Sequence, residues 1–253
     1  MPISYRPLND MTDFERMVDL EIAVWGVNPR DALPANMLRA LSSHGGLVLG
    51  AFDGAAMVGL AVAFRASGDV LWSHMTGVHP AYQGRGIGWC LKRIQREWAL
   101  ANGCAEIRWT FDPIQRGNAH FNLHLLGAQS NLYHDDYYGE MDDDINRGMP
   151  SDRLEAIWPL RDARVGALMH GAAPAALTPP QALTFSITDA QPFALTDTPD
   201  WVCVAIPPDL APLREAGTLL DARLRLRQIM HTLFDQGYTA VDFSSTAYIL
   251  TKN

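Results

Sequence analysis

Hydrophobic and polar positions alternate between two periods along this chain. Residues 3–8 alternate every second position and predict a first strand. Phe14, Met17, Val18, Ile22 and Trp25 then recur at helical spacing, with Thr12 and Glu15 as a capping box and Gly26 as the stop. A second helix is expected over 34–43, with Met37, Ala40 and Leu41 inward and Pro34 in the first turn, where a missing N–H costs nothing. Residues 46–52 and 57–65 read as an apolar hairpin about Asp53-Gly54. Residues 70–78 alternate as a further strand. Ile87, Leu91, Ile94, Trp98 and Ala101 then form one apolar stripe, closed by Gly103.

The pattern continues with a strand over 106–112 that Pro113 ends. A helix over 118–126 follows, with Phe121 and Leu125 on one side and Gly127 at its end. Residues 131–140 are strand-like and 154–160 form another strand. The fold class is therefore α/β (α+β), a mixed and mostly antiparallel sheet flanked by helices. Composition shifts at 163–200, where the Ala/Pro-rich stretch GAAPAALTPPQAL reads as a linker or strap. Beyond it, strands over 201–206, 238–243 and 247–251 surround a helix over 219–236. The expected domains are 1–162, a strap 163–200, and a small strand–helix–strand–strand subdomain 201–253. The last is either a degenerate second half-domain or an ordinary compact α/β extension.

Composition narrows the function. A length of 253 residues, 48% hydrophobic content and 19% charge describe a chain able to bury a core. A net charge of −8 with no basic run argues against nucleic acid as partner. Cys90, Cys104 and Cys203 are odd in number and widely spaced, which argues against a disulfide framework and against a metal site. The N-terminus has neither a basic start nor an apolar core, and no apolar run is long enough to cross a bilayer. The expectation is a cytoplasmic protein with no membrane partner.

Chemistry concentrates at Gln83-Gly84-Arg85-Gly86-Ile87-Gly88, between the strand 70–78 and the helix after it. Glycines let successive amides turn toward a ligand, and a helix start adds unpaired N–H groups, so the arrangement suits a pyrophosphate. The spacing is G-x-G-x-G, which fits neither the dinucleotide loop nor the nucleotide-triphosphate loop, and Trp89-Cys90 replaces Lys-Ser/Thr. A plain tight connection is the competing structural explanation. With Val78-His79-Pro80 leading in, the stretch resembles the Q/R-x-x-G-x-G/A signature of the GNAT superfamily of N-acyltransferases. The element order over residues 1 to about 162 is similar to that family's as well.

The resemblance implies an acyl-coenzyme A co-substrate, acetyl-CoA or a relative, held by Gln83, Gly84, Arg85, Gly86, Ile87 and Gly88. Gly77 and Val78 would pair with the pantetheine arm, and the Val78 N–H would stabilise the oxyanion. Asn118 and Asn122 stand near the family's second-motif asparagine, whose counted position falls on Arg116. The tyrosine of that motif is missing, because the count from Gly127 reaches Leu123. Tyr133, Tyr137, Tyr138 and His124 remain as acids, with Tyr133 and Tyr138 carried as catalytic candidates beside packing roles. His74 is the candidate base, since imidazole accepts a proton near neutral pH, and simple alternation puts it on the face of Val78. A hydrogen-bonded structural histidine is the equal alternative.

Residues 116–127, 137–139 and 150–153 resemble an outlying GNAT branch, some of whose members are encoded beside N-acylamino-acid racemases. That implies a small-molecule amine such as an amino acid as acceptor, with succinyl among the acyl groups considered. Arg116, Arg147 and Arg153 suit two-point binding of its carboxylate, unless Arg147 simply pairs with Asp142-Asp143-Asp144. A homodimer is compatible with this reading. The competing function is a CoA-binding sensor or scaffold without catalysis.

Overall fold

The computed structural model describes residues 2–141, 148–189, 191, 193–195 and 197–252. Two compact units make up the chain: Met1–Trp109 with Pro159–Arg161, and Thr110–Glu140 with Gly148–Trp158 and Asp162–Asn253.

The first unit runs β1 (Ser4–Pro7), α1 (Met11–Trp25), α2 (Ala35–Ser43), β2 (Leu47–Asp53), β3 (Ala56–Arg65), β4 (Val70–Val78), α3 (Ile87–Ala101) and β5 (Glu106–Phe111), which passes into the second unit after Trp109. Strands β1 to β4 are antiparallel neighbours in chain order. The α3 crossover brings β5 parallel to β4. On one face, Leu8, Phe14, Met17, Leu20, Leu38, Val48, Phe52, Leu60 and Val62 form a core beneath α1 and α2. On the other, α3 closes over Gly59, where a Cβ would stand 3.0 Å from Ile87.

The second unit continues with α4 (Arg116–Ala119), which runs on as a π-helical turn over His120–Leu125, then β6 (Tyr133–His134) paired with β7 (Arg153–Pro159). Next come α5 (Ala163–Met169), β8 (Leu183–Ser186), β9 (Trp201–Ala205), α6 (Ala211–Glu215), α7 (Leu219–Asp235), β10 (Tyr238–Phe243) and β11 (Ala247–Lys252). The last four strands form a sheet in the order β10-β11-β9-β8. Helix α7 buries Leu219, Ala222, Leu226, Ile229 and Leu233, and with them Arg223, which pairs with Asp112 at 3.0 Å. Among the described residues no helix is long and apolar enough to cross a membrane.

Several local expectations are corrected. Asp10, not Thr12, caps α1, accepting the Asp13 N–H at 2.9 Å. Helix α2 buries Leu38 and leaves Met37 49% exposed, so its inward face is rotated by one position. Helix α3 buries Ile87, Leu91, Lys92, Gln95 and Ala99, where Ile94, Trp98 and Ala101 were expected. The strand-like stretch 131–140 contains only the two residues of β6, and the strap contains α5 and β8.

Candidate functional site

The glycine-rich connection begins where β4 ends. A 3-10 turn over Pro80–Tyr82 follows, and the His79 Nδ1 accepts the Ala81 N–H at its start. Gly84 (φ 74°) and Gly86 (φ 76°) both take the left-handed backbone that only glycine adopts without strain. Nothing lies within 4 Å of where a Cβ would stand at either position, so backbone conformation, not crowding, demands glycine there. The loop is tied down from its own ends. Gln83 Nε2 donates to the Val78 carbonyl at 3.2 Å, Arg85 donates to the Ala81 carbonyl at 3.1 Å, and the Arg85 guanidinium lies over the Tyr82 ring. Gly86 occupies the cap position of α3, and no side chain caps the helix. The first-turn amides of Ile87 and Gly88 are thus presented at a positive helix end.

Strand β4 carries a β-bulge. Val62 pairs with Met75 and Ala63 with Ser73, so His74 is the extra residue. The bulge changes the alternation. Ser73 faces α3, where Lys92 reaches it, while His74 lies with Phe64, ring centroids 6.2 Å apart. Beyond the bulge, Gly77 faces α1, and a Cβ there would come within 2.8 Å of the Trp25 ring. Val78 pairs with Gly59 and so shares the α3 face. His74 and Val78 therefore occupy opposite faces, in place of the shared face that simple alternation implies. Atoms crowded around the His74 imidazole disfavour its charged form and lower its pKa from the ordinary 6.5, although its surface remains exposed to solvent.

The parallel ladder of β4 with β5 comprises Val70↔Glu106, Leu71↔Ile107 and Trp72↔Arg108. From Ser73 to Val78 the β5-facing edge of β4 runs beyond that ladder, toward the glycine loop. At the parting, Lys92 Nζ donates to Ser73 Oγ at 2.9 Å and sits 3.6 Å from the centroid of the Trp109 ring. Lys92 is 2% exposed, and burial pushes its pKa down to about 7. Sequence reasoning missed this residue. A stripe stepping by four, 87–91–95–99, places Lys92 and Gln95 on the buried face. The stripe through Ile94 and Trp98 excludes both.

The remaining expected residues lie in the second unit. Tyr133 is 8% exposed, and its hydroxyl donates to Asp152 at 2.8 Å, on the carboxylate that Arg227 also grips. Burial raises its pKa above the ordinary phenol value. Tyr138 is exposed and shares a hydrogen bond with Thr110 Oγ1 at 3.0 Å. Asn118 is exposed on α4, and Asn122 is buried in the π-helical turn. Arg153 is buried, donates to the Asp152 carbonyl, and covers the Tyr138 ring. Arg116 donates to the Ser245 carbonyl and, with His120, Arg214, Pro207 and Phe243, lines a cavity of about 830 Å³. Arg147 lies outside the described residues.

The comparisons agree with this geometry. Residues 14–127 match the model of the acetyltransferase (GNAT) family. The ribosomal-protein-S18-alanine N-acetyltransferase of Escherichia coli superposes with a TM-score of 0.53 at 15% identity, over 64% of this chain and 96% of its own. A putative acetyltransferase of the GNAT family from Desulfovibrio desulfuricans gives 0.50 at 13% identity, over 63% of this chain and 99% of its own. The NatC complex bound to Gag peptide and CoA gives 0.50 at 18% identity, over 63% and 99%. Among curated proteins no sequence matches the chain. At these identities the superpositions speak for the fold, and the family match speaks for the chemistry. Residues 14–127 thus match the acetyltransferase (GNAT) family and take the fold that these N-acetyltransferases share.

Proposed function

We propose that this protein is an N-acyltransferase that acts on the amine of a small molecule such as an amino acid, by direct attack of that amine on the thioester of acetyl-CoA or a related acyl-CoA, succinyl-CoA included. The observation that carries the reading is the glycine loop at the uncapped start of α3, adjoining a length of β4 edge free of β5. The loop amides would take the pyrophosphate. The free edge at Gly77 and Val78 would pair with the pantetheine amides as an added strand, and the Val78 N–H would meet the oxyanion. His74, held neutral by its lowered pKa, would accept the proton the acceptor ammonium must lose.

The second unit supports the acceptor class. Arg116 and Arg214 line one cavity there, while the neighbouring Asp209 carboxylate accepts the Ala211 N–H. Two guanidinium groups beside an apolar wall of Pro207, Pro208 and Phe243 suit a small organic acid.

The test is free-thiol release from a panel of acyl-CoA thioesters against a panel of amino acids and other small amines. Amine-dependent release with an amino acid supports the proposal. Coenzyme binding without amine-dependent release would make the protein a CoA-binding sensor instead. If His74 is the base, the acid limb of the wild-type pH–rate profile lies below pH 6.5 and is absent from His74→Ala. An identical limb in the variant removes His74 from the mechanism.

A further inference from the structure

Lys92 is a buried amine that packing does not account for. It projects from α3 toward the sheet with 2% of its surface exposed. Its contacts are Ser73 Oγ on β4 and the Trp109 ring on β5. Its neighbours on β3 along this face are Gly59, Ala61 and Ala63, which carry no charge. Glu106 is held by Arg108 at 2.6 Å, His74 turns to the opposite face, and the other buried polar residue of α3, Gln95, is uncharged. Among the described residues no acidic side chain offsets the ammonium, and burial alone accounts for its depressed pKa. Natural proteins seldom keep such a charge without a use.

Position supplies the use. The last rung joining β4 to β5 is Trp72↔Arg108, and the next residue on each strand is Ser73 and Trp109. Lys92 Nζ touches both, so it lies across the point where the strands part. From Ser73 to Val78 the free edge spans six residues, five steps or roughly 17 Å of strand. An extended pantetheine arm anchored at the glycine loop would run along that edge and carry its sulfur toward the parting. Tyr133, the buried phenol among the expected acids, already donates to Asp152.

Resting on the acyltransferase reading above, we propose that Lys92 is the acid that protonates the departing coenzyme A thiolate, with Ser73 as the residue that positions it. The acceptor nitrogen forms a bond to the thioester carbon, and the tetrahedral adduct collapses with loss of the C–S bond. The electron pair stays on sulfur, which takes a proton from Lys92 Nζ. The acceptor ammonium gives its first proton to His74 before attack, and the adduct nitrogen loses a second, which restores the lysine through solvent. The sum is acceptor ammonium and thioester to amide, thiol and one released proton. The Trp109 face steadies the ammonium before transfer and tolerates the neutral amine after it.

The test needs no knowledge of the acceptor. Coenzyme A is bound to the full chain, and its thiol is titrated by the ultraviolet absorbance of the thiolate, in wild type, Lys92→Met and Lys92→Gln. Calorimetry checks binding in each. Beside a lysine the bound thiol should ionise at a pH at least one unit lower in wild type than in either variant, a tenfold difference in acidity. Equal thiol pKa values in wild type and the variants, with coenzyme bound in all, overturn the inference and leave the acyltransferase reading standing. Coenzyme A that fails to bind wild type overturns both. The two replacements differ in polarity, so a folding defect confined to one leaves the other to report.

Discussion

Lys92 exchanges water for one hydroxyl and an aromatic face, and that exchange fixes how the fold responds to pH. Its folded pKa of about 7 lies below the ordinary 10.5. Between those values the unfolded chain holds a proton that the folded chain has released. Stability therefore rises with pH across this window, by at most about 1.4 kcal/mol per unit. Below pH 7 both states carry the charge and the fold bears the full cost of burying it. Lys92→Met should be more stable than wild type by about 1–4 kcal/mol at pH 6, and the advantage should shrink toward pH 10. Urea unfolding of both chains at pH 6 and 9.5 checks this. A difference that does not change with pH would mean the ammonium is solvated after all. Gly86 gives a second contrast at this scale. Its φ of 76° with open space around the Cβ position predicts that Gly86→Ala costs backbone strain of about 1–2 kcal/mol and spares much of the coenzyme affinity. Gly86→Asp adds a charge near the phosphates, and unit charges 4 Å apart near a surface repel by about 4 kcal/mol. Calorimetry with coenzyme A should show at least a ~100-fold loss for the aspartate variant; retained affinity would make the loop a mere turn.

Elements respond to their ends, and α1 shows how. Asp10 adopts an extended backbone and accepts the Asp13 N–H, so Asp10→Ala should cost about 1 kcal/mol in denaturant unfolding. Thr12→Ala, within the first turn, should stay within about 0.5 kcal/mol. The reverse order would restore Thr12 as the cap. The same helix marks what the sequence made legible. The period of α1 and its Gly26 stop were readable, because apolar spacing and positive φ are local properties. The choice between two capping residues two positions apart depends on where the chain leaves β1, which is not local. The strands of the first sheet were readable for the same reason, and so was the glycine loop. The face of His74 was not, since one extra residue against Ala63 reverses it and leaves no mark in the pattern. Lys92 escaped because a charged residue inside an apolar stripe reads as solvent-facing until the strands above it are placed. Strand β8 was hidden by composition: LTFS is too short to signal, and parallel pairing with β9 supplies its order.

At the scale of the molecule, the family match and the compact units divide the chain differently, and the difference is measurable. The match ends at residue 127, yet residues 110–140 and 148–158 belong to the same unit as the C-terminal sheet. What joins them is specific. Arg223 on α7 pairs with Asp112, Arg227 grips Asp152, the Tyr248 hydroxyl donates to the Pro113 carbonyl, and Ser130 bridges to Ala240. Arg223 and Asp112 are both buried, and removing one partner of a buried pair costs about 3–5 kcal/mol because the other charge is left without compensation. A chain ending at residue 162 keeps every residue of the family match and loses all four partners at once. Asp112 and Asp152 are then buried without their arginines, and residues 110–140 and 148–158 have no sheet to close their core. Limited proteolysis should cut such a chain within 110–140 or 148–158 while 2–109 stays protected, and the full chain should resist in all three stretches. Hydrogen exchange should rise in the same two stretches. Protection of 110–140 and 148–158 in the shortened chain would show that these residues hold together unaided, and that the four C-terminal contacts add order to stretches already folded.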